Sequence, residues 1–585
     1  MNPVTWFFPV AAILLLVLFF IGMPSLRRCP LDRIPKSGYE YGTRDFFALG
    51  LIVIVYAFVA FYNLGSTEAP QSFHRFSDGE SLTVTLSGDE SVSSVIYYTG
   101  IGTGSYTLQY SDDGESFYDA ALLDQNYAAL LKWKNAELYS DVSDKPRSIR
   151  IIAHGSPWLG ELALRTPDGR LIPVTGGGKL FDEQAAVPEY PNYLNSSYFD
   201  EIYHARTAYE HIEGVYPYEV SHPPLGKLII AGGIELFGMT PFGWRFSGTL
   251  IGVFMLPLLY VLLKKMFGGV SVPACGTAIF AFDFMHFTQT RIATIDSYAV
   301  FFILLMYLFM YLYISGGRLR YLALSGVAFG IGIACKWTCF YAGAGLAVIW
   351  LIYRIRRFEL KAFLKNCLFC LVFFVLIPAV IYYLSYFPYG QAIGLHGPGM
   401  FFKREYFDLV CGNQEFMFTY HSGVHSEHPY ASRWYQWLID ERPILYYLQY
   451  YSDGSRSSFG AFLNPLLCWG GLAAMCVMLW LALFRRDKAA GFILIGYLAQ
   501  LLPWVFISRI TFEYHYFPSA VFLTLALCRI FALMQTCTKH WRMKLYGFTG
   551  LCLALFLMFY PVLSGKLINA ETASALLRWL PSWPF

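Results

Sequence analysis

Long apolar runs separated by short polar breaks dominate the chain, and their length separates it from a soluble protein. A helix needs about 20 mostly apolar residues to cross the hydrocarbon core of a bilayer. Runs of that order, some shorter, occupy 6–23, 46–62, 246–263, 272–287, 295–314, 321–334, 339–353, 367–386, 463–484, 490–507, 521–535 and 546–562. They predict an α-helical polytopic membrane protein of about twelve transmembrane helices, one or two of them half-helices or tilted partners. The first run lacks a basic leader and a small-residue cleavage site, and Arg27-Arg28 follow it, so it is expected to stay as an anchor.

The pattern changes period between Thr67 and about Thr175. Ser81-Leu-Thr-Val-Thr-Leu86 and Tyr106-Thr-Leu-Gln-Tyr110 alternate like strands, with turns at Asp113-Gly114 and Asp168-Gly169. Short strands over about a hundred residues predict a β-sandwich inserted into the helical chain. The expected organisation is therefore 1–66, two helices with a basic loop; 67–180, the β-sandwich; and 181–243, a polar loop. A helical core at 244–386, a second outer loop at 387–462 and C-terminal helices at 463–585 complete it.

Composition agrees: 56% of residues are hydrophobic and only 14% charged, well under the quarter usual for soluble domains. A net charge of +3 with no basic tail argues against a nucleic-acid partner. Most of the 12 cysteines lie in apolar stretches, and the Cys367/Cys370 pair reads as helix packing, with no second pair or nearby His.

Charge placement then orients the helices. Arg27, Arg28, Arg33, Lys36 and Arg44 fall between the first two runs. Further basic residues fall at Lys264-Lys265, at Arg318 and Arg320, through 354–365, at Arg485-Arg486-Lys488 and through 539–544. Every second loop is basic, so these face the cytoplasm. The opposite side receives 65–243, 387–462 and 508–516, and chemistry is expected there, outside the cell membrane.

Tyr198-Phe-Asp-Glu-Ile-Tyr-His-Ala-Arg206 and Ser221-His-Pro-Pro-Leu-Gly-Lys227 lie in the first of these segments. Asp200 and Glu201 are candidate acid/base carboxylates, although neighbours at i and i+1 diverge, so one acts while the other orients. The bland reading is a solvated loop pair. Lys227, Arg245, Arg291 and Arg509, with His515, would suit a phosphate if they converge; each alone could be snorkelling to the interface.

Phe199-Asp-Glu-Ile-Tyr-His204, His222-Pro-Pro-Leu-Gly-Lys227, Arg291-Ile-Ala-Thr-Ile-Asp-Ser-Tyr298, His428-Pro-Tyr-Ala-Ser-Arg-Trp434 and Tyr514-His-Tyr-Phe-Pro518 together resemble the protein O-mannosyltransferase family of the GT-C superfamily. The resemblance implies a GT-C fold and transfer of mannose from a polyprenyl-phosphate lipid to a Ser or Thr hydroxyl of a protein, with inversion and without metal or other cofactor. It places the base at Asp200, with Glu201 positioning the acceptor or tuning Asp200, and Arg245 near the donor phosphate. Arg291, Lys227, Arg509 and His515 are expected beside that phosphate, and His204, His222, His428, Arg433, Trp434 and Tyr514 against substrate. His421, His425 and His428 suggest a metal cluster by count, but the family places that loop beside the active site, which favours substrate contacts.

Two departures stand out. The later loop is too short for the β-trefoil MIR domain of eukaryotic members, and a β-domain interrupts the chain ahead of Asp200 instead. Its Tyr106–Gly114 stretch, Trp133, Arg147-Ser-Ile-Arg-Ile-Ile152 and Trp158-Leu-Gly-Glu-Leu162 resemble discoidin-like, carbohydrate-binding jelly rolls, which implies a glycan ligand. A structural cap with buried aromatics is the competing reading. Two further functions stay open at this stage: a GT-C transferase using another lipid-linked sugar or a glycolipid or cell-wall acceptor, and a transporter of lipid-linked sugars. The lack of an internal repeat argues against the transporter.

Overall fold

Apolar sequence becomes helix wherever the expected runs fall. The computed structural model describes residues 3–21, 39–87, 90–140, 145–356, 358–423 and 427–585; Arg27, Arg28, Arg33, Lys36 and His425 lie outside them. Eight helical stretches among the described residues are long and apolar enough to cross a membrane: Thr43–Phe61, Pro241–Phe267, Asp296–Gly316, Leu360–Ala392, Pro465–Phe484, Lys488–Phe506, Glu513–Cys537 and Trp541–Ser564. The apolar helices Phe7–Val17, Ser271–Ala281, Leu319–Cys335 and Cys339–Ile355 are shorter. The chain is thus mainly helical and multi-pass; the described residues hold eight full-length candidate spans and four shorter apolar helices where about twelve spans are expected.

The chain divides into two compact units: residues 1–62, 220–226 and 248–585, and residues 63–219 and 227–247. In the first, helix Glu513–Cys537 is the central element, its apolar window entirely buried by the others. Leu360–Ala392 is the opposite case, almost wholly exposed and so left for lipid. Small residues set the closest approaches: a Cβ on Gly326 would lie 2.2 Å from the Phe373 carbonyl oxygen, so only glycine fits there. Several charges on or beside the apolar helices are paired. Lys264 bonds Asp45 at 2.8 Å, Tyr260 donates to the same carboxylate at 2.7 Å, and Arg529 Nε reaches Asp487 at 2.9 Å.

The second unit holds the sandwich. Its strands are β1 (His74–Arg75), β2 (Ser81–Leu86), β3 (Ser94–Thr99), β4 (Gly104–Ser111), β5 (Tyr118–Gln125), β6 (Lys132–Asn135), β7 (Ser148–Gly155), β8 (Trp158–Arg165) and β9 (Val174–Thr175). They form antiparallel sheets of order β1-β8-β3-β6 and β5-β4-β7-β2-β9. Val95, Tyr97 and Leu162 from the first sheet share one buried core with Val84, Tyr106, Leu108 and Ile151 from the second. The alternation read in Ser81–Leu86 is real: Val84 and Leu86 point inward and Thr83 and Thr85 outward. The polar loop expected as a separate piece at 181–243 belongs largely to this unit. The two ends of the inserted strands meet there, where Gln71 and Ser72 N–H groups donate to the Glu183 carboxylate at 2.9–3.0 Å.

Candidate active site

Asp200 stands at the head of helix Glu201–Ile212, and its backbone carbonyl receives the first intrahelical bonds from Tyr203 and His204, both at 3.0 Å. Its side chain does not cap the helix, unlike the usual Asp at this position. The chain enters through Phe199 at φ +49°, a left-handed conformation that a bulky residue holds only when its surroundings enforce it. Those surroundings come partly from the sandwich. Ser197 donates its N–H to Leu131 at 2.9 Å and its hydroxyl to Leu130 at 2.6 Å, while the Trp133 N–H donates to Ser196 Oγ at 3.1 Å.

Glu201 faces the other way and is fully buried. Arg245, on helix Pro241–Phe267, grips it with Nε at 2.7 Å and Nη2 at 2.8 Å. The Tyr198 N–H donates to the same carboxylate at 3.1 Å. The rest of the guanidinium bonds the Leu64 and Tyr193 carbonyls at 2.9 and 2.8 Å and the Ser196 carbonyl at 2.9 Å. These bonds use all five N–H groups of Arg245. Its donors point inward, fully buried, and fix the turn before Asp200. Glu201 likewise has no exposed atom for an acceptor and serves the same turn.

Lys227 also turns inward. It donates to the Glu219 carbonyl at 2.7 Å and to the Glu219 carboxylate and is fully buried, so its charge is answered within the protein rather than offered to a phosphate. Burial pulls its pKa down, and the Glu219 charge opposes that shift. His204 is buried on the same helix as Asp200.

The other expected residues lie in the first unit. His222 and His421 rings meet at 5.2 Å, and His421 Nε2 bonds the Ser221 carbonyl at 2.8 Å. Burial pushes His421 down to about 4, helped by the positive groups His222, Arg509 and Lys336, which places those cations together. Lys336 bonds Asp296 at 2.7 Å and lies 5.6 Å over the Tyr514 ring. Tyr514 stacks on His515 at 4.5 Å, and His515 meets Trp504 at 4.3 Å. His515, Trp504, Asp296, Thr338, Tyr341 and Gln500 line a small cavity. Arg291 is buried, its Nη2 donating to the Tyr62 carbonyl at 2.8 Å.

The 428–434 motif wraps onto the segment before Tyr514. Ser432 N–H donates to Thr511 at 2.9 Å and Thr511 Oγ1 to Ser432 at 2.6 Å. Arg433 reaches the Ser508 carbonyl at 3.1 Å, the His428 ring abuts Phe512 at 4.9 Å, and half-buried Trp434 lies against Tyr435 at 5.8 Å. Among the described residues, one group of His, Cys, Asp and Glu side chains lies within metal-ligand reach, Glu161, Asp182 and Glu183 of the sandwich unit. His421 and His428 are not part of it.

Comparison with known proteins decides the family. The family described as dolichyl-phosphate-mannose-protein mannosyltransferase matches residues 221–383, and the C-terminal four-TMM region of protein-O-mannosyltransferase matches 407–583. The chain belongs to the protein O-mannosyltransferase family. Among relatives of this family, the polyprenol-phosphate-mannose–protein mannosyltransferase of Mycolicibacterium smegmatis is 26% identical over 513 residues, covering 73% of this chain and 98% of the relative. That of Mycobacterium tuberculosis (strain ATCC 25618 / H37Rv) is 26% identical over 425 residues, 62% of this chain and 81% of the relative. The Saccharomyces cerevisiae protein O-mannosyltransferase Pmt1-Pmt2 complex bound to the sugar donor shares the fold, with a TM-score of 0.58 at 14% identity over 66% of this chain and 89% of that one. The chain is accordingly a membrane glycosyltransferase.

For this O-mannosyltransferase, sequence reasoning missed Lys336, Trp437, Gln500 and Trp504. Lys336 had a visible signal, being a lone lysine between two apolar helices, where charge is costly and usually functional. Gln500 and Trp504 sit among apolar neighbours and Trp437 in a mixed loop, and none of them carries such a mark.

Proposed function

We propose that this protein transfers mannose from a polyprenyl-phosphate lipid to Ser or Thr hydroxyls of proteins on the extracytoplasmic side of the cell membrane. The observation that carries the reading is the division of labour at Asp200-Glu201: one carboxylate is locked to Arg245, and the half-exposed one stands at a helix start without capping it. In the step, Asp200 accepts the proton of the acceptor hydroxyl as its oxygen bonds the anomeric carbon of mannose. The carbon–oxygen bond to phosphate breaks on the opposite face, which inverts the centre and releases polyprenyl phosphate. A phosphate leaving group departs without a proton when cations stabilise it. Lys336 and Arg509, whose charges oppose protonation of His421, are cations of the kind such a leaving group needs, which supports a metal-free, cofactor-free reaction.

The extracytoplasmic placement rests on the alternation of basic loops. In the sandwich, Trp133 is buried, whereas Tyr118, Tyr127 and Tyr139 are exposed and available to stack on a glycan. The test of the reaction is transfer to a Ser/Thr peptide by the purified, reconstituted protein supplied with polyprenyl-phosphate mannose. Asp200→Asn should abolish product while insertion and thermal unfolding stay unchanged; a variant that retains transfer refutes the role of Asp200.

A further inference from the structure

Behind the Trp437–His515 stack lies a group that the reaction above does not use. Asp440 and Glu513 are both fully buried. Their carboxyl groups are close neighbours, each acting on the ionisation of the other. Asp440 Oδ1 accepts the Leu463 N–H at 3.1 Å, but Asp440 Oδ2 and both carboxyl oxygens of Glu513 receive no donor from the described residues. The titratable groups facing the pair are the Cys468 thiol on helix Pro465–Phe484, Asp283 at the start of helix Phe284–Thr290, and Tyr516 on its own turn; none is a cation. Two carboxylates in contact without a cation cannot both be ionised, so they must hold a proton between them.

The backbone shows that the contact is enforced. Asp440 is held at φ +50°, its carbonyl taking the Trp583 indole N–H at 2.7 Å. Three residues upstream, Trp437 stacks on His515 at 6.0 Å and 14°, and His515 lies two residues beyond Glu513. We propose that Glu513 carries a proton donated to Asp440, and that this proton-sharing pair clamps the 434–440 segment to the 513–516 turn, fixing Trp437 against His515 for transfer. Glu513 is the proton's home because Asp440 alone has a backbone N–H to stabilise its charge.

The clamp consists of one shared proton, so it is present while that proton is bound and is lost as pH rises far enough to remove it from Glu513. Both residues are positioning residues and touch no substrate. The inference rests on the proposed transfer for its kinetic readout only. The experiment measures transfer from polyprenyl-phosphate mannose to peptide against pH for the reconstituted wild type, Asp440→Asn and Glu513→Gln. In either variant an amide donor replaces the shared proton.

The variants should stay within roughly tenfold of wild type at pH 6, and their alkaline limb should rise by about one pH unit or more. A second arm is infrared spectroscopy of the same proteins. The protonated-carboxyl absorption of wild type at pH 6 should lose a component in Glu513→Gln. Folded variants with the wild-type alkaline limb and an unchanged band overturn the proposal. If wild type transfers no mannose at all, the functional reading falls, and the infrared arm still decides whether the pair shares a proton.

Discussion

Removing the Glu201 carboxylate would leave the Arg245 guanidinium buried with two of its five N–H groups unanswered. Breaking one side of a buried ion pair costs about 3–5 kcal/mol. Glu201→Ala should therefore lower thermal stability in detergent as well as transfer, whereas Asp200→Asn should lower transfer alone. Equal loss of stability in both would contradict the division of roles. The sequence marked the two carboxylates as a pair through their motif. It could not rank them, because the ranking lies in Arg245, which is 44 residues away with no periodicity connecting them. Arg245 was legible as important, but a guanidinium at a helix start looks the same in sequence whether it faces a phosphate or five internal acceptors. His222, His421 and His515 were legible as polar residues in an apolar protein, but the cation field that joins them to Lys336 exists only after folding.

Helix Arg404–Gly423 carries His421 into that field, and burial there holds it down to about 4. An unfolded histidine titrates near 6.5, so the unfolded chain binds more protons than the folded one between those values. Stability is complete above about 6.5 and declines as pH falls towards 4. His421→Gln should flatten this acid decline in an unfolding series from pH 7 to pH 4; an unchanged slope would place the acid sensitivity elsewhere. On a different helix, Gly326→Val would drive a side chain into the Phe373 carbonyl, and we expect reduced membrane yield and a lower unfolding temperature. Helices and strands were readable because apolar runs and period-2 alternation are local. Span number was less so, since Ser271–Ala281 and Leu319–Cys335 are too short by length alone to be told from half-helices.

For the molecule as a whole, the inserted sandwich is more than an appendage within its own unit. Leu130 and Leu131 accept the Ser197 donors on the approach to Phe199 and Asp200. Excising 72–182 and joining the adjacent ends should therefore depress kcat, and not only KM for acceptor, in the peptide-transfer assay. A deletion that changes KM alone would make the sandwich purely a recognition module. Composition and turn signals announced the insert, yet nothing in them showed that its strands brace the residue before the left-handed turn. The bonds from Arg245 to Leu64 and Tyr193 join residues 181 and 52 positions apart, and this bears on biosynthesis. At translation rates of about 5–20 residues per second, Leu64 waits on the order of 10–40 s for its partner to leave the ribosome. Until then Glu201 has no guanidinium to bury against, so the turn that presents Asp200 cannot lock. A nascent chain therefore stays inert towards lipid-linked sugar until helix Pro241–Phe267 has been made.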